Sequence, residues 1–205
     1  MDRCYLSERL SSPVTHMRRE QDFNLNAVWL LIGINLLLFL ATSIQPNLQE
    51  TLGLQRASFT EEPWKIVTNL FIHANIWHIL ANMLTLYFFG TYLLRLVGEN
   101  KFLIVYFLGG IVGNAFYMLL GDPYATVIGA SGAIFAVGGA LTVLRPNLRV
   151  LVLPIPIPLP LWVAVIGGFF IISLVPNVAW QAHLGGLLFG LLAGYFFKKK
   201  RRRFF

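Results

Sequence analysis

Cysteine is nearly absent from this 205-residue sequence, with Cys4 the single example, which excludes an intrachain disulfide and any multi-cysteine metal site. Charge is scarce as well. Only 12% of residues are charged against 57% hydrophobic, far from the balance of a water-soluble domain, so lipid must replace water over much of the surface. What is present in its place is a series of apolar stretches almost free of charge, at about 27–43, 76–94, 102–120, 131–144, 162–175 and 182–197. A full crossing needs about 20 residues at a rise of about 1.5 Å each, and each stretch extends to that length with a few flanking residues. The pattern predicts an all-α polytopic membrane protein of six transmembrane helices. A cleaved signal peptide fits the first stretch poorly, because Met1–Asp22 is a long mixed-charge leader without an evident small-residue cleavage site.

The few charges set the expected topology. If the leader lies inside, the inner segments hold fourteen basic and five acidic residues, and the outer segments only Arg56 and Lys65 with four acidic residues. That alternation predicts both termini on the cytoplasmic side. The domain reading is a leader over 1–24, a membrane domain over 25–197 and a basic tail over 198–205. The tail reads as a topology anchor near anionic headgroups, so no nucleic-acid partner is expected.

Between the first two helices, the outer segment 45–69 is too long for a turn, and its Leu52, Leu54, Phe59, Trp64 and Ile66 suit irregular or amphipathic structure in the interface. The run from Pro154 to Pro160, with proline at every second position, cannot be helix interior. It predicts extended structure delivering the chain to a short fifth helix near Pro160. Gly186, Gly190 and Gly194, four apart, give the last helix a smooth face for close packing.

Polar groups within membrane helices are costly and therefore informative. Here they include His73, Asn75, His78, Asn82, Asn114, Ser131 and His183. Carboxylates are missing from the set, which argues against a proton-coupled carrier and leaves serine and histidine as the reactive types. Counted from the inner anchors at about 1.5 Å per residue, Ser131 lies about 21 Å above Arg145, His183 about 22 Å above Lys198, and Asn82 and His78 about 20 and 25 Å above Arg95. In a core about 30 Å thick all four share one layer beneath the outer surface.

Ser131, between Gly129 and Gly132 at a helix start, suits a nucleophile whose own amide is free to donate; a plain N-cap among packing glycines is the alternative. His183 is the available base, since a serine hydroxyl needs a neighbour to accept its proton, and no acid is at hand to orient the ring. Helix packing is its alternative. Phe135 shares the helical face of Ser131 and can pack against the imidazole. His78 and Asn82, four apart on one face, could hold a developing oxyanion or simply bond between helices, while His73 could hold the adjacent loop or line a water path. The histidine spacing does not suit a metal.

The stretches His73-Ala-Asn-Ile-Trp-His78-Ile-Leu-Ala-Asn82, Gly129-Ala-Ser131-Gly132 and Ala182-His183-Leu-Gly-Gly186, in this order and at these depths, resemble the rhomboid family of intramembrane serine proteases in its minimal six-helix form. The resemblance implies a rhomboid-like bundle with a short serine-bearing fourth helix. It also implies a Ser131–His183 dyad with His78 and Asn82 as oxyanion residues, and support from Phe135, His73, Gly129, Gly132 and Gly186. Three positions depart from the family's usual pattern: Lys65 stands for arginine, Phe135 for tyrosine and Leu94 for glutamate. The expected reaction is hydrolysis of peptide bonds in or beside transmembrane helices of substrate proteins, with membrane lipid as surroundings, no cofactor and no obligate protein partner. A non-catalytic client-binding membrane protein and a small transporter are the competing classes.

Overall fold

The computed structural model describes residues 26–152 and 155–202; the expected leader, 1–24, and the last three residues of the tail lie outside them. Helix α1 (Asn26–Ile44) is apolar all round, burying Val28 and Leu31 and turning Leu36, Leu37 and Leu40 outward. The outer segment follows with two short helices, α2 (Leu48–Leu52) and α3 (Lys65–Thr68), and a 3₁₀ turn at Asn69–Phe71. Helix α4 (Ile76–Thr85) passes through a π turn at Leu86–Gly90 into α5 (Thr91–Val97). Gly98, at φ 86°, ends α5 in a conformation open to glycine and starts α6 (Glu99–Leu120).

Helix α7 (Ser131–Leu144) begins at the serine and stops before Arg145-Pro146, where proline disfavours a helical residue ahead of it. It is buried on nearly every side and forms the axis of the molecule, as a helix apolar all round must. From Ile155 on the proline run is extended, as its sequence predicts, with Pro154 outside the described residues: β1 (Arg149–Val152) pairs antiparallel with β2 (Ile155–Pro160). This hairpin is the one sheet among the described residues and qualifies the all-α expectation locally. Helix α8 (Leu161–Ser173) is short and starts just after Pro160. It meets the core through Leu161, Val165 and Phe169, spaced four apart and buried. Helix α9 (Trp180–Arg202) does not stop where the apolar stretch does but continues through the basic residues. Lys and Arg are good helix formers, and Lys198 donates to the carbonyl of Val143 at the end of α7.

This is a multi-pass membrane bundle, with apolar residues such as Ile104, Leu108, Phe170, Ile171, Leu188 and Leu192 exposed along its outside. Among the described residues, three helical spans rather than six are long and apolar enough to cross unaided: Ala27–Ile44, Ile76–Val97 and Glu99–Leu120. Helices α7 and α8 are shorter because α7 starts at the sunken serine and the proline run sets the start of α8.

Two stripes of small residues position the site. Gly132, Ala136 and Ala140 on α7 face Gly186, Gly190 and Gly194 on α9 so closely that a Cβ at each of the three α9 glycines would collide with backbone of its counterpart. The backbones of α7 and α9 are therefore in contact over three turns.

Candidate active site

Ser131 is the first residue of α7 and His183 lies in the first turn of α9. Because the small-residue stripes bring these helices together at their N-terminal ends, the Nε2 of His183 stands 2.7 Å from the Oγ of Ser131. His183 is buried, and its Nδ1 has no hydrogen-bond partner among the described residues. The pair therefore lacks the acid that completes a triad, in keeping with the dearth of carboxylates in the sequence.

Phe135, one turn after Ser131, lies against the imidazole at 4.7 Å between ring centroids and 33° between planes. Phe169 of α8 then meets Phe135 edge-on at 6.0 Å. This second ring was not signalled by any motif; only the four-residue spacing of Leu161, Val165 and Phe169 could have found it. On the Nδ1 side the orientation of His183 is thus set by apolar packing in place of a hydrogen bond.

His78 is held by the start of α4. Asn75 caps that helix by accepting from the His78 amide at 2.9 Å, and the amide of Ala74 donates to His78 Nδ1 at 3.4 Å. A neutral ring that accepts at Nδ1 carries its proton on Nε2. That Nε2 lies beside Gly129: a Cβ on Gly129 would be 2.8 Å from it and 3.6 Å from Ser131 Oγ. The donor and the serine consequently border one small space that only glycine leaves open. Gly129 also has φ 126°, which side-chain-bearing residues rarely adopt.

Asn82 is buried on the same helix, one turn on, and donates from Nδ2 to the carbonyl of His78 at 2.8 Å. His73 is fully buried, with no hydrogen-bond partner at either ring nitrogen among the described residues. It meets the His78 ring nearly edge-on at 5.0 Å, so its contact with the site is by packing. Gly132 and Gly186 face each other in the helix contact one turn below.

A polar clasp that the sequence did not pair holds the serine loop. Asn69 and Asn114 exchange side-chain hydrogen bonds of 3.1 and 2.8 Å, Asn114 also donates to the carbonyl of Ile66, and the Asn69 carbonyl accepts from the Gly129 amide at 2.9 Å. Asn114 was visible as an intramembrane polar residue, whereas Asn69 sat unremarked in the outer segment. That segment is stitched to the serine loop by paired backbone bonds between Leu54 and Val127 and to itself by Thr68 donating to the Leu52 carbonyl. Lys65 is buried and pairs with the Glu62 carboxylate, which it holds below the usual carboxylate range. Leu94 is packed in the core.

Among the described residues no cluster of His, Cys, Asp and Glu is arranged to hold a metal ion.

Known proteins resemble this chain over much of its length. The model of the Rhomboid domain matches residues 60–200. The chain is 32% identical to the mitochondrial Rhomboid protein 1 of Saccharomyces cerevisiae over 85% of its own length and 54% of that protein's. It is 37% identical to Rhomboid-like protease 3 of Toxoplasma gondii over 50% of this chain and 40% of that one. To Rhomboid protease GluP of Bacillus subtilis it is 30% identical over 80% and 33% respectively. The chain spans about half the length of these relatives or less. With the domain match covering more than half of the sequence and including both Ser131 and His183, the chain belongs to the rhomboid family.

Proposed function

We propose that this protein is an intramembrane serine endopeptidase that hydrolyses peptide bonds in or next to the transmembrane helices of other membrane proteins. The observation that carries the reading is the 2.7 Å approach of Ser131 Oγ to His183 Nε2, between residues 52 apart in sequence on two helices in backbone contact. In this reading His183 accepts the serine proton as Oγ attacks the scissile carbonyl carbon. The negative oxygen that forms is held by the Ser131 amide, at the positive end of α7, together with the Nε2–H of His78 and the amide of Asn82. Asn82 Nδ2 has a second hydrogen beyond the one given to the His78 carbonyl. The C–N bond then breaks, His183 passes its proton to the leaving amine, and water attacks the acyl enzyme with His183 again as base. Phe135 keeps the imidazole in plane for both transfers, Gly129 leaves room for the oxyanion, His73 backs His78, and Gly132 and Gly186 set the helix spacing. The reaction requires no cofactor or metal.

The same reading assigns six crossings, with α7, α8 and α9 completing the three long spans, a leader over 1–24, a membrane domain over 25–197 and a basic tail over 198–205. It sets both termini on the cytoplasmic side of a prokaryotic plasma membrane. Substrates reach Ser131 laterally from lipid, beside α8, whose Gly167 and Gly168 have open space around them. Since a helix hides its amides, cleavage favours helix-breaking or small residues near the scissile bond.

The test is cleavage of a panel of single-span membrane substrates in liposomes by wild type and by Ser131→Ala, both verified as folded. Wild type should cleave at least one substrate and Ser131→Ala none. Equal cleavage by the two removes the assignment, and solute flux that persists in Ser131→Ala would favour a transporter.

A further inference from the structure

The β1–β2 hairpin touches the bundle core through Val150 and lies apart from the serine site, and its outward side chains are the wrong kind for water. Leu151 and Ile157 are 66% and 62% exposed, beside exposed Arg145 and Arg149. Arg149 also donates to the carbonyl of Pro158, which lays its charge along the strand pair.

One candidate occupant for an exposed strand is another strand, and the chemistry of β2 refuses it. Successive amides of a strand point to alternate edges. Leu161 donates to the carbonyl of Leu148 at 2.7 Å and Leu159 pairs with Val150, so Pro158 and Pro160, on either side of Leu159, face the open edge of β2. Pro156 lies past the register irregularity between Val150 and Val152, and no proline has an amide hydrogen to give at either edge. The β2 edge of the hairpin therefore offers an incoming peptide no donor from these prolines.

The hairpin follows the end of α7 after the four residues 145–148 and runs directly into α8, and Trp162, half exposed in the first turn of α8, is a residue type that settles at the headgroup level. The same face of the bundle carries the basic end of α9, whose Lys198 bonds to the end of α7, and Lys101 over the Phe197 ring. Apolar side chains ringed by arginine and lysine complement an anionic leaflet.

We propose that the β1–β2 hairpin is a membrane-surface anchor, seated in an anionic leaflet with Leu151 and Ile157 at the headgroup–acyl boundary and Arg145 and Arg149 against lipid phosphates. It holds the Leu161 end of α8 at a fixed height and leaves the Ser173 end the freer of the two.

The full-length chain with Cys4→Ser would carry a fluorophore at Leu151→Cys, at Ile157→Cys, or at exposed Asn147→Cys as reference. The labelled proteins are reconstituted into phosphatidylcholine vesicles with and without phosphatidylglycerol. In anionic vesicles, labels at 151 and 157 should be quenched by lipids brominated near the headgroup and shielded several-fold from aqueous iodide relative to 147. The effect should weaken in neutral vesicles and in the Arg145→Gln, Arg149→Gln background. Iodide quenching at 151 and 157 as strong as at 147, or equal lipid quenching in the two vesicle types, would overturn the proposal.

Discussion

Adding a single methyl group at Gly186 should silence the dyad without touching it. In Gly186→Ala the new Cβ overlaps the carbonyl oxygen of Gly132 and stands 2.9 Å from its carbonyl carbon, where ordinary contact begins at about 3.5 Å. Both obstacles are backbone, so no rotamer relieves them, and the partner at the contact is already glycine. The helices must part by about 1 Å, at a stability loss of about 1–3 kcal/mol, the usual range for overpacking. Gly186 is three residues past His183 and Gly132 one past Ser131, so the separation passes almost undiminished to the dyad. The Oγ–Nε2 distance would grow from 2.7 Å to about 3.7 Å, beyond hydrogen-bond range, and a 1 Å misplacement of reacting groups lowers rate about 100-fold. Gly194→Ala is the comparison. Its Cβ would lie 2.7 Å from the Ala140 carbonyl oxygen, but about 12 Å further along α9, so stability should fall while most of the rate remains. The assay pairs thermal denaturation in detergent with cleavage of a single-span substrate in liposomes, below the melting temperature of every variant. Wild-type cleavage by Gly186→Ala, or equal rate losses in the two variants, would refute the idea that helix spacing sets the dyad.

Three further outcomes follow from neighbouring contacts. Gly129→Ala places a methyl 2.8 Å from the His78 ring at a φ of 126°, so cleavage should drop about 100-fold with a smaller change in melting temperature, as read from the same two assays. Asn114→Ala leaves the Asn69 side chain and the Ile66 carbonyl without their partner, a loss of about 1–3 kcal/mol, measurable as a lower detergent unfolding midpoint; the loop at Gly129 should also become more open to hydrogen exchange. Glu62 is the acid-sensitive point of the outer segment. Its carboxyl is held below the ordinary range by the Lys65 hydrogen bond, so the pair steadies the segment at neutral pH and releases it as pH falls through the lowered value. Limited proteolysis of the 56–64 stretch should quicken at acid pH in wild type and lose that pH dependence in Glu62→Gln.

The site was legible in the sequence to the degree that membrane depth is a one-dimensional quantity. Ser131, His183, His78 and Asn82 could be set at one height because helix rise is constant and basic residues give each count a common starting point, and α7 begins at Ser131 and ends at Leu144 as its glycines and its Arg145-Pro146 boundary require. Rotation and lateral pairing are different quantities that no count along one helix contains. For that reason the Asn69–Asn114 clasp and the Phe169–Phe135 contact emerge only in three dimensions. The continuation of α9 to Arg202 was hidden for another reason: hydropathy reports where lipid ends, and a helix capped by Lys198 on Val143 has no cause to end there. The proline run was legible as extended, but its pairing partner depends on the register with β1, set by the bond from Leu161 to Leu148.

A serine and a histidine on separate membrane helices face a particular difficulty. Lipid supplies no hydrophobic force to press helices together, so their spacing rests on packing. Most side chains would hold two helix axes 8 to 10 Å apart, about the separation at which large residues interlock, and a serine side chain is too short to reach far across such a gap. The small residues of α7 and α9 remove that gap, and they do so from the dyad inward: Gly132 with Gly186, then Ala136 with Gly190, then Ala140 with Gly194. Phe135 lies against the face of the His183 ring in this close contact, while the ring's Nδ1 has no hydrogen-bond partner among the described residues. A Phe135→Leu variant that keeps the helix spacing but frees the imidazole should therefore lower the rate while leaving the α7–α9 contact intact.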